Sequence, residues 1–182
     1  MRGYGDAVAE PPWLDEREQR AWRGFLQMYV QVTSRLRRQM HRDSGLSYSD
    51  YEVLAHLSEA PEGCLRPFQL AEALQWEKSR LSHQLRRMGE RGLVARRGCP
   101  TDARGMFFEI TPTGRRAIEE AAPLHVREVR RVFIDVLTPA QLDALADIAE
   151  TVLRHLGDTT GSPGPTGTRP AAGPENDCRP GE

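Results

Sequence analysis

Glycine and proline punctuation constrains this chain more than any other feature, because it cuts the first two thirds into segments too short for most folds. Gly45, Pro61-Glu62-Gly63, Pro67, Gly92, the Gly-, Pro- and Asp-rich stretch 98–105, Thr111-Pro112 and Thr138-Pro139 each stop or start an element. Proline lacks a backbone donor and is suited to the first helical position, whereas glycine favours the position just past a helix end. Between these marks the apolar spacing decides the element type. From Asp15 to about Arg42, Trp22, Phe25, Leu26, Tyr29, Val32, Leu36 and Met40 recur at steps of three and four and predict one long helix.

A second helix opens at Leu46-Ser47 and buries Tyr51, Leu54, Ala55 and Leu57. Its cap is Ser47 or Ser49, and Ser49 with Glu52 has the spacing of a capping box. A third, short helix runs from Pro67 through Leu74. A fourth, from about Glu77 to Arg91, carries Leu81, Leu85 and Met88 on its buried stripe. At 100° per residue Ser79, His83 and Arg86 then point nearly the opposite way, flanked by Arg80, Ser82 and Arg87. Leu93-Val94 begins a strand that a long turn joins to a second one, Met106 to Ile110, giving a hairpin with a basic tip. Thr111-Pro112 and Thr138-Pro139 start two further helices. Pro123 is expected to kink or interrupt the first, whose second half carries Val126, Val129, Val132, Phe133 and Val136. The last helix has Leu142, Leu145, Ile148, Ala149, Val152 and Leu156 as its stripe. From Gly157 onward no apolar periodicity remains, and the tail is expected to be disordered.

The expected fold is therefore mainly α with a small β-hairpin wing: a winged helix-turn-helix plus a helical dimerisation region. Its expected parts are a flexible N-terminus (1–14), a dimerisation helix (15–45), the winged helix-turn-helix (46–111), dimerisation helices (112–156) and a disordered tail (157–182). The terminal helices carry long apolar stripes beside a small domain with its own core, and a second copy of the chain would cover them.

Charge placement gives this order a function. The chain has a net charge of −1, yet between Cys64 and Gly105 nine basic residues face only Glu72, Glu77, Glu90 and Asp102. A basic island in an otherwise acidic chain is the footprint of a phosphate-binding face. In a helix-turn-helix the second helix lies in the major groove. The candidate DNA-binding residues are thus Lys78, Ser79, Arg80, Ser82, His83, Arg86 and Arg87 on that helix, with Arg96, Arg97 and Arg104 on the wing, where guanidinium groups suit a narrow minor groove. Asp102 is expected to orient Arg104. Trp22, Tyr29, Tyr48 and Tyr51 could line an effector cavity; ordinary packing explains them equally well.

Catalysis, cofactors and metals find no support. No nucleophile elbow, phosphate loop, dinucleotide fingerprint or metal-protease motif occurs, and Glu52 with His56 are two groups without a third ligand. Cys64, Cys99 and Cys178 are widely spaced, which suggests free thiols; Cys99, beside Arg96 and Arg97, is an alternative redox sensor. No stretch is long and apolar enough to span a bilayer, and the N-terminus lacks a signal-peptide core, so a cytoplasmic location is expected.

The segments Leu46-Ser47, Leu70-Ala71-Glu72-Ala73-Leu74, Lys78-Ser79-Arg80-Leu81-Ser82, Arg91-Gly92-Leu93-Val94, Thr101-Asp102-Ala103-Arg104-Gly105 and Ile110-Thr111-Pro112-Thr113-Gly114 resemble MarR-family regulators in order and spacing. The resemblance spans about residues 20 to 156. It implies a homodimer that binds double-stranded DNA at a pseudo-palindromic operator, usually as a repressor, and is often released by a small phenolic or otherwise hydrophobic effector. It also implies that Asp102 and Arg104 are the wing pair and that Lys78 to Arg87 belong to the recognition helix. The chain departs from the family pattern where Cys99-Pro100 precedes Thr101. It also has no cysteine before Cys64, unlike the family's peroxide sensors. The competing reading is a winged-helix protein-interaction module without specific DNA readout.

Overall fold

The computed structural model describes residues 12–98 and 106–160 and divides into two units, residues 1–35 and 36–182. Helix α1 (Glu16–Ser44) begins in the first unit and ends in the second. Within the first unit it presents Trp22, Phe25 and Tyr29 as a stacked aromatic ladder, with ring centroids 5.8 and 6.5 Å apart, and all three are exposed. The sequence-expected stripe is present, but only Leu36 and Met40, in the second unit, are buried.

The second unit continues with α2 (Tyr48–Glu59), β1 (Cys64–Leu65), α3 (Pro67–Leu74), α4 (Lys78–Glu90), β2 (Val94–Gly98), β3 (Met106–Ile110), α5 (Pro112–Val132) and α6 (Pro139–Thr160), with single 3-10 turns after α2 and α5. Its core joins Met40, Val53, Leu54 and Leu57 to Leu70, Leu81, Leu85 and Met88, closed by Leu93, Val94, Phe108 and Ile118. Four helices thus share one apolar centre with the sheet and the start of α5.

The wing is more than a hairpin. β3 lies in the middle of a three-stranded antiparallel sheet, order β1-β3-β2, with Cys64 opposite Glu109 and Arg96 opposite Phe108. β1 is two residues long, too short for any alternation of apolar and polar side chains to announce it. The wing is fixed to the scaffold at its base. Thr111 caps α5 by accepting from the Gly114 N–H (3.0 Å), and its hydroxyl donates to the Gly92 carbonyl (2.6 Å). Gly114 meets the backbone just before β2 so closely that a Cβ there would stand 2.1 Å from the Leu93 carbonyl oxygen.

Four expectations need correction. The capping box of α2 is Ser47 with Asp50, not Ser49 with Glu52: the Ser47 hydroxyl accepts from Asp50 N–H (3.1 Å) and the Asp50 carboxylate from Ser47 N–H (2.8 Å). Both pairs have the right spacing, but only Ser47 stands immediately before the first turn, where its side chain reaches the free donors. Helix α5 is uninterrupted at Pro123, which is exposed. Helix α6 runs three residues past Gly157, since a glycine near a helix end costs only about 1 kcal/mol. Cys64, expected as a free thiol, is buried and disulfide-bonded; Cys99 and Cys178 both lie outside the described residues.

Candidate nucleic-acid interface

Helix α3 hands the chain to α4 through Gln75, which sits in the left-handed region (φ 52°) and whose N–H returns to the carbonyls of Ala71 and Glu72. Trp76 N–H donates to the Ala71 carbonyl (2.9 Å). These bonds satisfy the end of α3 and set the angle at which α4 leaves. Helix α4 buries Leu81, Leu85 and Met88 as expected and exposes Lys78, Ser79, Arg80, Ser82, His83, Arg86 and Arg87. All seven candidate residues of this helix therefore share its solvent side.

They differ in how they are held. The Arg80 guanidinium lies 4.0 Å from the centroid of the Trp76 ring, a cation–π contact that aligns it with the start of the helix. Arg86 pairs with Glu90 one turn on (3.1 Å), and both are well exposed, so this pair contributes little and is readily exchanged. Arg87 donates to the Gln84 side-chain oxygen.

On the wing, Arg96 is exposed and its guanidinium lies 5.7 Å over the Phe108 ring, while Arg97 is half-buried and paired with Glu109 at 3.7 Å. Arg97 is thus tied to the sheet by an ion pair, and Arg96 by its contact with the Phe108 ring. Arg104, Asp102 and Cys99 lie outside the described residues. Between α3, α4 and the sheet a cavity of about 330 Å³ is floored by Leu81, Leu85 and Phe108 and rimmed by Lys78 and Arg96.

The proposed effector residues fall into separate places. Trp22 and Tyr29 belong to the first unit. In the second, Tyr48 and Tyr51 of α2 meet His125 of α5, with ring centroids 5.8 and 4.6 Å from the imidazole. Burial holds His125 below the usual imidazole range, and burial followed by the nearby Glu59 charge pushes the Tyr51 hydroxyl up. The His125 Nδ1 is buried and without a hydrogen-bond partner among the described residues. Sequence reasoning passed over His125, which no linear spacing connects to the tyrosines.

It also passed over a polar network inside the domain. Asp50, Gln84 and Arg91 join α2 to α4 through bonds spanning 34 and 41 residues. A signal for Gln84 existed: it lies three residues after Leu81 and four before Met88, inside the buried stripe.

A three-helix core with a recognition helix of exposed basic and hydroxyl side chains, braced by a sheet-based wing, defines a winged helix-turn-helix DNA-binding protein. Comparison with known proteins gives the family. The MarR family model matches residues 44–105, from the end of α1 to the residue before β3. The transcriptional regulator HosA of Escherichia coli O111:H- is 30% identical over 105 residues, covering 58% of this chain and 74% of that protein. Among solved structures, the MarR-family regulator AbsC from Streptomyces coelicolor is 40% identical with a TM-score of 0.76, covering 80% of this chain and 98% of AbsC. Sco3205 from the same organism, solved in complex with DNA, is 37% identical with a TM-score of 0.74, covering 78% of this chain and 89% of Sco3205. The chain belongs to the MarR family of DNA-binding transcriptional regulators, which are not enzymes. Among the described residues no helix is long and apolar enough to cross a membrane.

Proposed function

We propose that this protein is a homodimeric, cytoplasmic repressor of a pseudo-palindromic operator, read by α4 with the wing beside it. The observation that carries this reading is the solvent side of α4, where seven basic, hydroxyl and imidazole side chains stand together. Arg86 and Arg87 suit bidentate contact with guanine, and Lys78, Ser79, Arg80, Ser82 and His83 suit bases or phosphates. Arg96, Arg97 and Arg104 extend the contact to flanking DNA, with Asp102 orienting Arg104. The related Sco3205, solved with DNA, supports the same use of this domain.

Residues 15–45 and 112–156 serve dimerisation. Ile148, Val152 and Leu156 of α6 stay 62%, 52% and 53% exposed in the single chain, and apolar patches of this kind mark protein interfaces. A two-fold dimer would set its recognition helices about 34–36 Å apart, one turn of DNA. The effector reading rests on Tyr48, Tyr51 and His125: a phenolic or otherwise hydrophobic molecule would lie against the rings. It acts only if it favours the dimer incompetent for DNA.

Selection from random duplexes at ~150 mM salt, where non-specific binding is suppressed, tests the proposal. An inverted repeat is the expected product; enrichment of no motif would favour a protein-interaction module instead. Phenolic compounds added at fixed salt are expected to lower affinity for the selected site, and no response from any of them would remove the effector.

A further inference from the structure

The buried network beneath α4 ends on a side chain of its outer face. Asp50 is 2% exposed and Gln84 3% exposed. The Gln84 amide donates to Asp50 Oδ1 (2.6 Å), while Asp50 Oδ2 accepts from Arg91 Nη1 (2.6 Å) and from the Ser47 N–H (2.8 Å). The Gln84 side-chain oxygen then accepts from Arg87 Nη2.

We infer that Asp50 and Gln84 are positioning residues for DNA recognition: the Asp50 carboxylate fixes which way the Gln84 amide faces, and Gln84 thereby holds the Arg87 guanidinium ready for DNA. This rests on the reading of Arg87 as a DNA contact. An ionised carboxylate is an acceptor only, so the NH2 end of Gln84 must face it and the carbonyl end must face outward. That outward oxygen suits a guanidinium. The contact engages one of Arg87's donors and leaves others for DNA. The apolar stripe of α4 cannot do this, because hydrophobic contact is non-directional and sets neither which end of an amide faces its partner nor which way a guanidinium points. Directional bonds from Asp50, at the capped start of α2, fix both. Ordering a long side chain before binding reduces the entropy lost on binding, an effect of roughly three- to tenfold in affinity for one residue.

Two substitutions break the relay differently. Gln84→Met keeps the volume and removes both bonds. Asp50→Asn keeps the shape but has a single acceptor oxygen. When that oxygen serves Arg91 and the Ser47 N–H, its NH2 faces Gln84, whose amide turns over and presents NH2 to Arg87. The experiment measures affinity of the full chain for its selected operator at fixed salt, for each variant alone and combined with Arg87→Ala, beside urea unfolding of each. The expected result is that Arg87→Ala weakens binding, that Q84M and D50N each weaken it three- to tenfold, and that neither weakens it further once Arg87 is gone. Equal losses in both backgrounds would show general support of the fold and overturn the inference, as would no loss from Q84M and D50N. If one variant does not fold, the other gives the same cycle. If Arg87→Ala alone changes nothing, Arg87 leaves the DNA face and the relay falls with it. Additive losses instead leave Arg87 at the interface and remove only the relay.

Discussion

Replacing Gly114 with alanine would strike the joint between α5 and the wing. The added Cβ would stand 2.1 Å from the Leu93 carbonyl oxygen and 3.1 Å from Ile110 Cγ1, where ordinary contact begins at 3.4 Å. One side must therefore recede by more than an ångström. The Leu93 oxygen is backbone, and it also accepts from the Thr111 N–H (3.2 Å). Overpacking of this kind costs about 1–3 kcal/mol, and each strained hydrogen bond adds roughly 0.5–1.5 kcal/mol. The better helix propensity of alanine returns at most about 1 kcal/mol. A net loss of about 2–4 kcal/mol is expected. With a urea m-value of roughly 2 kcal/mol/M, the unfolding midpoint at fixed protein concentration falls by about 1–2 M with m unchanged. A midpoint within about 0.25 M of wild type, equivalent to ~0.5 kcal/mol, would refute the close approach.

Three further outcomes are expected. Gln75→Gly should stabilise the chain by a few tenths to about 1 kcal/mol, because glycine occupies φ 52° without a Cβ penalty; thermal unfolding checks it, and a lower midpoint would count against strain at that turn. Because burial depresses His125 from 6.5, the unfolded chain takes up its proton first. Stability is then lost as pH falls from about 6.5 through the folded value, and His125→Phe should flatten that part of the profile. Urea midpoints of both proteins at pH 7.5 and 5.5 decide it, equal pH slopes being the contrary result. Val152→Glu on the exposed face of α6 should convert the proposed dimer to monomer by light scattering, and an unchanged mass would exclude that face as the interface.

Local chemistry made the helical segments legible. The fourth helix, expected over about 77–91, occupies Lys78–Glu90, because its stripe, its start after Trp76-Glu77 and its stop at Gly92 all lie within the segment. The cap at Thr111 and the helix start at Pro67 were equally local. What stayed hidden depends on distant partners. The choice of Ser47 and Asp50 over Ser49 and Glu52 accompanies bonds to Gln84 and Arg91, far along the chain. The meeting of His125 with Tyr48 and Tyr51 depends on how α5 crosses α2. At the candidate interface, the exposed side of α4 followed from periodicity alone. The Arg80–Trp76 stacking and the Arg97–Glu109 pairing did not, since rotamers and strand register decide them.

The strand order has a consequence for how the protein is made. β1 and β2 have no pairing with each other; both pair with β3, the last of the three to leave the ribosome. Until Ile110 has emerged, the nascent chain has two unpaired edges and lacks Phe108, a member of the shared core. The Thr111–Gly114 joint forms only after that. The recognition helix is thus synthesised before the platform beneath it closes, and that platform closes only when β3 inserts between its neighbours. A ribosome stalled before Ile110 would hold a chain with every residue of α4 and no stable surface on which to present them.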